Sequence, residues 1–450
     1  MGKLFGTDGI RGVANQYPLT PEMAVNMGRA IVSNFRGNRR HPLIVIGKDT
    51  RISGTMIEYA IASGICSAGG HAYFSGVLPT PAVAYVASQA DAIAGIVISA
   101  SHNPFYDNGI KVFDGQGYKL KDDLEKQIED MVLDDSIPDA CRSIRDTGQV
   151  FFLDDAGQRY KVFLRQCIEK ASFKAIKIVL DCSNGATFKV APELFQELGA
   201  DVESLSVNPD GKNINAGCGS EHPQGLVRRV LETRADIGLA FDGDGDRLIA
   251  VDEKGQVISG DCILAICANA LKKNGALKNN IVVSTVMSNL GLGVALKQMG
   301  IKHVMTRVGD RYVLEQMLAH DAVIGGEDSG HMIFLDRHTT GDGILAALRL
   351  VEVMQRACAP LSELSQIMKV FPQVLINVEV RCKPDLEKVP EIVDAIRSVE
   401  ADLGEEGRVL VRYSGTQPLC RVMVEGPNDH TTQNYCRQIA DVVQKKIGND

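Results

Sequence analysis

Three times along the chain an apolar, β-branched run meets a polar turn, continues as an amphipathic helix ending at a glycine, and returns as a second strand. Residues 43–49 (LIVIGKD) lead to a helix ending near Gly69-Gly70 and then to 71–74 (HAYF). Residues 176–181 (IKIVLD) lead to a helix ending at Gly199 and then to 201–207. Residues 281–285 (IVVST) lead to a helix ending at Gly300 and then to 303–308 (HVMTRV). A glycine at that point serves a left-handed helix cap, and units of this kind build parallel sheets. The recurrence therefore predicts one α/β domain used three times in series.

After Pro360 the pattern changes. Alternating strands are expected at 373–381 (QVLINVEVR), 408–413 (RVLVRY) and 419–425 (LCRVMVE), with amphipathic segments near 389–399 and 432–447. That combination predicts a smaller α+β domain with an antiparallel sheet. Polar stretches at 134–149 and 252–260 separate the earlier units. The expected fold is thus α/β, with three similar domains of mixed or parallel sheets at 1–150, 151–254 and 255–368. A C-terminal α+β domain follows at 369–450, and all four surround a central cleft. A length of 450 residues with 45% hydrophobic side chains suits several packed cores.

A net charge of −8 with interspersed signs argues against a nucleic-acid partner, and no stretch reaches eighteen consecutive apolar residues. With no apolar signal core at the N-terminus, the reading is a cytoplasmic protein without a membrane partner. The eleven cysteines include no C-x-x-C pair, so buried thiols are expected instead of a disulfide framework or a zinc site.

Four loops carry candidate chemistry. In Asp242-Gly243-Asp244-Gly245-Asp246-Arg247 the carboxylates alternate with glycines, so they project to one side of a loop able to bend around a small cation. Oxygen ligands alone select Mg²⁺ or Ca²⁺. An EF-hand would place glycine where Arg247 stands and helices where 235–241 (ADIGLAF) and 248–251 (LIAV) read as strands. An uncompensated acidic loop would suffer repulsion of roughly 1 kcal/mol per pair even in water.

The second loop, Ser99-Ala100-Ser101-His102-Asn103-Pro104, ends the buried run 92–99 in a turn, which places the nucleophile candidate Ser101 and His102 at the end of a strand, where open α/β sheets bind ligands. Taken alone, this pair is better accounted for as a polar loop capping a strand, so the case for chemistry rests on the other motifs. The third loop, Arg412-Tyr413-Ser414-Gly415-Thr416-Gln417 with Arg421 beyond it, gathers guanidiniums, hydroxyls and backbone N–H groups suited to a phosphate dianion. The fourth, 325–331 (GGEDSGH), offers Glu327, Ser329 and the imidazole of His331, and the glycine-spaced segment 6–12 (GTDGIRG) ends near Arg11.

Together with Asn108-Gly109-Ile110-Lys111, these motifs resemble the α-D-phosphohexomutase superfamily over essentially the whole chain. Residues 5–12 and 99–104 are more similar to the branch acting on glucosamine 6-phosphate, which feeds UDP-N-acetylglucosamine and cell-wall precursor synthesis, than to its phosphomannomutase relatives. The resemblance implies an isomerase that moves a phosphoryl group within a sugar phosphate through a glucosamine 1,6-bisphosphate intermediate. Ser101 would be the phosphorylated serine, sharing Mg²⁺ with Asp242, Asp244 and Asp246. Glu327 and Ser329 would bind sugar hydroxyls, while Arg412, Ser414, Gly415, Thr416, Gln417 and Arg421 hold phosphate. Arg11, Lys111, His331 and His102 would form the catalytic group handling protons and charge, and a homodimer is implied as possible. Gln417 departs from the Glu usual in the family, and Asp328 from its commoner Gln or Met. A phosphoglucomutase/phosphomannomutase remains an alternative, as does a metal-dependent phosphatase or a non-catalytic sugar-phosphate sensor; a phosphorylated Ser101 discriminates against the last two.

Overall fold

The computed structural model describes residues 4–6, 8–134, 136–137, 146–169, 172–414 and 418–449. They form two compact units, one of residues up to 287 with 301–367, the other of 288–300 with 368 onward.

The first unit holds three sheets in series. The first contains β1 (Ile10–Val13), β2 (Leu43–Lys48), β3 (His71–Val77), β4 (Ala94–Ile98), β5 (Asp107–Asp114) and β6 (Val150–Phe152), in the order β1-β5-β4-β2-β3-β6. β2 runs parallel to β3 and β4, and β5 is antiparallel to β4. Every residue of β4 (AGIVI) is buried, as an unalternating apolar run requires when both faces of a sheet are covered. The second sheet contains β7 (Lys177–Asp181), β8 (Asp201–Leu205), β9 (Ile237–Phe241), β10 (Leu248–Asp252) and β11 (Val257–Ile258), ordered β11-β10-β9-β7-β8. The third contains β12 (Ile281–Thr285), β13 (Lys302–Thr306), β14 (Ile324–Gly326) and β15 (Met332–Phe334), ordered β13-β12-β14-β15.

The threefold recurrence is visible in the backbone. β2/β3, β7/β8 and β12/β13 are parallel pairs. The intervening helices Gly54–Ser67, Val190–Glu197 and Leu290–Gln298 are each followed by a left-handed glycine, Gly69 at φ 85°, Gly199 at φ 90° and Gly300 at φ 63°. Segment 252–260 does more than separate two units, because β11 pairs antiparallel with β10 through Ala250–Ile258 and Val251–Val257 and so extends the second sheet. Of the polar stretch 134–149, residues 135 and 138–145 lie outside the described residues.

In the C-terminal unit, β16 (Gln373–Glu379), β17 (Arg408–Tyr413) and β18 (Leu419–Glu425) form an antiparallel sheet ordered β16-β18-β17. Val378, Cys420, Val422 and Val424 pack with Ile392 and Val399 of helix Pro390–Leu403 and with Cys436, Ile439 and Val443 of helix Asp429–Ile447. The alternation of these strands leaves Arg412 and Arg421 on the face away from that core. Asn289, which caps helix Leu290–Gln298, donates from Nδ2 to the Phe371 carbonyl at 2.9 Å and so ties that helix to the same unit. The four-domain α/β organisation expected from the sequence is thus present, with a small antiparallel sheet last.

Candidate active site

Strands β9 and β10 pair antiparallel, and the connection between them is the Asp-Gly-Asp-Gly-Asp loop. Asp242, Asp244 and Asp246 are at most 3% exposed, and one carboxylate oxygen of each lies within 4.8 Å of the others. The loop is gripped from the other sheets. Thr80 donates to Asp244 through its backbone N (2.8 Å to the carbonyl) and its Oγ1 (2.5 Å to Oδ2). Leu248 N donates to the Gly330 carbonyl at 3.1 Å, and Gly343 N to that of Gly245 at 3.0 Å. Gly243 is required by close approach, since a Cβ there would sit 2.5 Å from the Ser101 carbonyl oxygen.

Ser101 leaves the carboxyl end of β4 with φ 53°, a left-handed conformation that is strained for a non-glycine residue and concentrated at functional sites. Its Oγ donates to Asp242 Oδ2 at 2.5 Å, and His102 Nδ1 lies 3.3 Å away. Burial, followed by the nearby Arg247 cation, pushes His102 down to about 4 and leaves it neutral near pH 7.

The buried Lys111 ammonium donates to Asp244 Oδ2 at 2.8 Å and Asp246 Oδ2 at 3.3 Å, and pairs with Asp8 Oδ2 at 3.0 Å. Burial alone would favour its neutral form, but Asp244, Asp8 and Asp246 outweigh burial and hold its pKa well above the ordinary value. Burial likewise opposes ionisation of Asp244, and Lys111 overcomes it, so that carboxylate stays well below its usual range. Asp242 is pushed up, by burial first and then by Asp246 and Asp244. Arg11 pairs with Asp8, whose other oxygen meets Lys119, which in turn contacts Asp310.

His331 lies near both groups, its Nε2 3.5 Å from Asp310 Oδ2 and 3.9 Å from Asp246 Oδ2, with neither ring nitrogen hydrogen-bonded. Gly341 makes room for the ring: a Cβ there would lie 2.3 Å from Nε2. Glu327 Oε1 accepts from Gly309 N at 3.1 Å, and burial raises its pKa. Ser329 is half-buried beside it, and Asp328 is exposed.

The distribution of hydrogen bonds tests whether a cation fits here. Lys111 occupies the Oδ2 atoms of Asp244 and Asp246, whereas both Oδ1 atoms are buried and make no hydrogen bond. Buried oxygens of this kind lose hydration without replacement, and a hard divalent cation such as Mg²⁺ would supply the missing partner. Among the described residues this is the one group of three or more potential ligands close enough to hold a metal.

In the C-terminal unit, Arg412 and Arg421 stand directly opposite each other on β17 and β18. Burial, then the facing Arg421 charge, lowers the Arg412 pKa. Ser414 is 3% exposed, and its carbonyl accepts from Lys383 Nζ at 2.8 Å. Gly415, Thr416 and Gln417 lie outside the described residues.

The structure thus brings Ser101, His102, Lys111, Arg11, the three aspartates, Arg247 and His331 into one unit, with Glu327 and Ser329 on the loop before β15. Sequence reasoning missed the supporting layer of Asp8, Asp49, Arg51, Thr80, Lys119, Asn215 and Asp310. Asp49 and Arg51 come directly after β2, so the signal that marks Ser101 beyond β4, polar residues at the carboxyl end of a buried strand, marks them as well.

Comparison with known proteins assigns the class. Domain models of the phosphoglucomutase/phosphomannomutase family match residues 2–137 (α/β/α domain I), 152–255 (domain II), 259–371 (domain III) and 375–442 (C-terminal domain). The chain belongs to this family, within the phosphohexomutase superfamily. It is 57% identical over 449 residues to a phosphoglucosamine mutase from Syntrophus aciditrophicus, covering 100% of both chains. It is 56% identical over 449 residues to one from Syntrophobacter fumaroxidans, again covering 100% of both. Among solved structures it resembles a phosphoglucomutase/phosphomannomutase family protein from Burkholderia thailandensis, with a TM-score of 0.80, 25% identity and 98% of each chain covered.

Proposed function

We propose that this chain is a phosphoglucosamine mutase, an isomerase that interconverts glucosamine 6-phosphate and glucosamine 1-phosphate. The observation that carries the reading is the buried Ser101 hydroxyl, 2.5 Å from Asp242 within the three-aspartate cluster. Full-length identity of 57% to a phosphoglucosamine mutase supports the choice of sugar.

In-line attack at phosphorus cannot be reached from O1 to a phosphate on O6 of the same ring, so a protein group must relay the phosphoryl. Phosphorylated Ser101 donates its phosphoryl to O1, giving glucosamine 1,6-bisphosphate; after this turns over, its O6 phosphate returns to Ser101. Mg²⁺ held by Asp242, Asp244, Asp246 and Ser101 would supply Lewis-acid neutralisation of charge on the transferring group. Lys111, kept protonated by its three carboxylates, and Arg11 add fixed positive charge. His331, whose ring nitrogens make no hydrogen bond, takes or returns the proton of the reacting sugar hydroxyl. Neutral His102 borders the Ser101 hydroxyl, Glu327 and Ser329 orient the ring hydroxyls, and Arg412, Ser414, Gly415, Thr416, Gln417 and Arg421 hold the phosphate that is not being transferred.

The deciding experiment is a product assay with Mg²⁺ on glucosamine, glucose and mannose 6-phosphates. The reading expects the amino sugar to have the highest kcat/KM. Equal or better values for the neutral sugars would move the chain to the phosphoglucomutase/phosphomannomutase reading. Release of inorganic phosphate without any 1-phosphate would make it a phosphatase.

A further inference from the structure

Arg51 lies just beyond β2, and its side chain is 0% exposed. Its Nε donates to Asp49 Oδ2 at 2.9 Å, and its backbone N to Asp49 Oδ1 at 2.9 Å. Nη2 donates to the carbonyls of Ser101 at 2.9 Å and Asn103 at 2.7 Å. Nη1 donates to the carbonyl of Asp107 at 3.0 Å and also to that of Pro104. Three carbonyls of the segment linking β4 to β5, with that of Asp107 at the start of β5, thus converge on one planar fork. A lysine, with a single rotating ammonium, cannot reproduce that fork.

The same segment is held from its amide side. Asp49 Oδ2 accepts from Ser99 Oγ at 2.5 Å, and Ser99 Oγ accepts from Ser101 N at 2.9 Å. Asn215 reinforces the carbonyl side, its Nδ2 donating to Ser101 O at 2.9 Å and Asn103 O at 3.0 Å. Both grips close on Ser101, which is held in a left-handed conformation that a free loop would relax. None of the Arg51 donors goes to Ser101 Oγ or to the three aspartates.

We propose that Arg51 is a positioning residue of the phosphoryl relay: with Asp49, Ser99 and Asn215 it fixes the 101–107 loop so that the Ser101 hydroxyl stays aimed at the aspartate cluster. This inference rests on the reaction proposed above. A displacement of about 1 Å at a reacting group lowers turnover about a hundredfold even when binding is intact. Arg51→Lys should therefore lose about a hundredfold in kcat with KM within about threefold of wild type. Asn215→Gly, which removes two hydrogen bonds without straining a residue at φ 59°, should lose about tenfold, again in kcat.

Two further readouts separate positioning from general destabilisation. Amide hydrogen exchange measured by mass spectrometry should quicken in peptides covering 99–107 while the remaining cores exchange as in wild type. Added guanidinium ion should raise the kcat of Arg51→Ala and leave that of Arg51→Lys unchanged. Wild-type kcat in Arg51→Lys, a loss appearing only in KM, or exchange that quickens evenly throughout would overturn the proposal. Should the Arg51 variants fail to fold, Asn215→Gly decides: a loss confined to kcat supports the role and wild-type kcat refutes it. An inactive wild type on every hexose 6-phosphate counts against the reaction alone, and local exchange at 99–107 still tests Arg51.

Discussion

In the first unit three carboxylates crowd within 4.8 Å of one another and are met by the buried ammonium of Lys111; in the C-terminal unit two guanidiniums face each other across β17 and β18. The first region carries most of its own counter-charge. Asp8, Lys119, Asp310 and Arg11 extend it, so that cation and anion alternate through the layer behind the aspartates. What remains unmet is a pair of Oδ1 atoms on Asp244 and Asp246. The second region sets like charges side by side, and burial together with Arg421 lowers the Arg412 pKa. Opposed cations on neighbouring strands repel, and on the proposed reaction a phosphate dianion would turn that repulsion into two charge-assisted contacts. On that reaction the difference is one of purpose: a preorganised, nearly neutral site would stabilise charge that develops during reaction, whereas a cationic pair would hold charge the substrate already has.

Mutations should separate the two roles. Ser101→Ala removes the proposed phosphoryl carrier, so kcat should fall by at least about a thousandfold with the fold intact. Peptide mass mapping of wild type should find phosphate on Ser101, and full activity in the alanine variant would end the relay. Next comes the metal. EDTA should abolish activity and Mg²⁺ restore it, and Asp244→Asn should cost at least about a hundredfold in kcat, in line with the several kcal/mol of a Lewis-acid role. A chelator-insensitive enzyme would remove the cation from the first region altogether. Arg421→Ala should behave differently, raising KM by about ten- to a hundredfold, as loss of charge-assisted hydrogen bonds worth about 1.5–3 kcal/mol predicts, with a smaller change in kcat. A pure kcat effect at Arg421 would erase the distinction between the regions.

The sequence was legible wherever local pattern decides structure. The three strand–helix–glycine units, the aspartate hairpin and the last antiparallel sheet all follow from β-branched runs, alternation and glycine placement, and each appears where expected. The aspartate cluster was legible because its three carboxylates are near neighbours in the chain, whereas the Ser101-His102 pair alone read as a polar loop capping a strand and gained its meaning only beside the other motifs. Asp8, Lys119 and Asp310 were not legible, because their meaning arises only when the segment before β1, the segment after β5 and the start of the helix Asp310–His320 meet in space. Arg51 was hidden differently: apart from Asp49, its partners are backbone carbonyls fifty or more residues away in the chain, and a carbonyl leaves no mark on the sequence.

The smallest expected effect concerns a carboxylate that the first region does not compensate. Asp342 is 1% exposed and caps helix Gly343–Ala357, its Oδ1 accepting from Leu345 N at 2.9 Å and its Oδ2 from Tyr160 Oη at 2.8 Å. Burial pushes its pKa from the ordinary 3.8 up to about 7, and these hydrogen bonds pull it only partly back. Asp244, equally buried, stays low because Lys111 lies against it. Between about pH 4 and about pH 7 the folded chain therefore retains a proton on Asp342 that the unfolded chain has released, so this group's contribution to stability falls as pH rises through that window. Asparagine keeps a capping oxygen for Leu345 N and cannot titrate. Thermal melting from pH 4 to 7 should accordingly show a shallower decline in Asp342→Asn than in wild type, by about 1–3 °C across the window. Parallel pH profiles would mean that Asp342 ionises like a surface carboxylate, and that burial without a paired cation leaves no mark on this region.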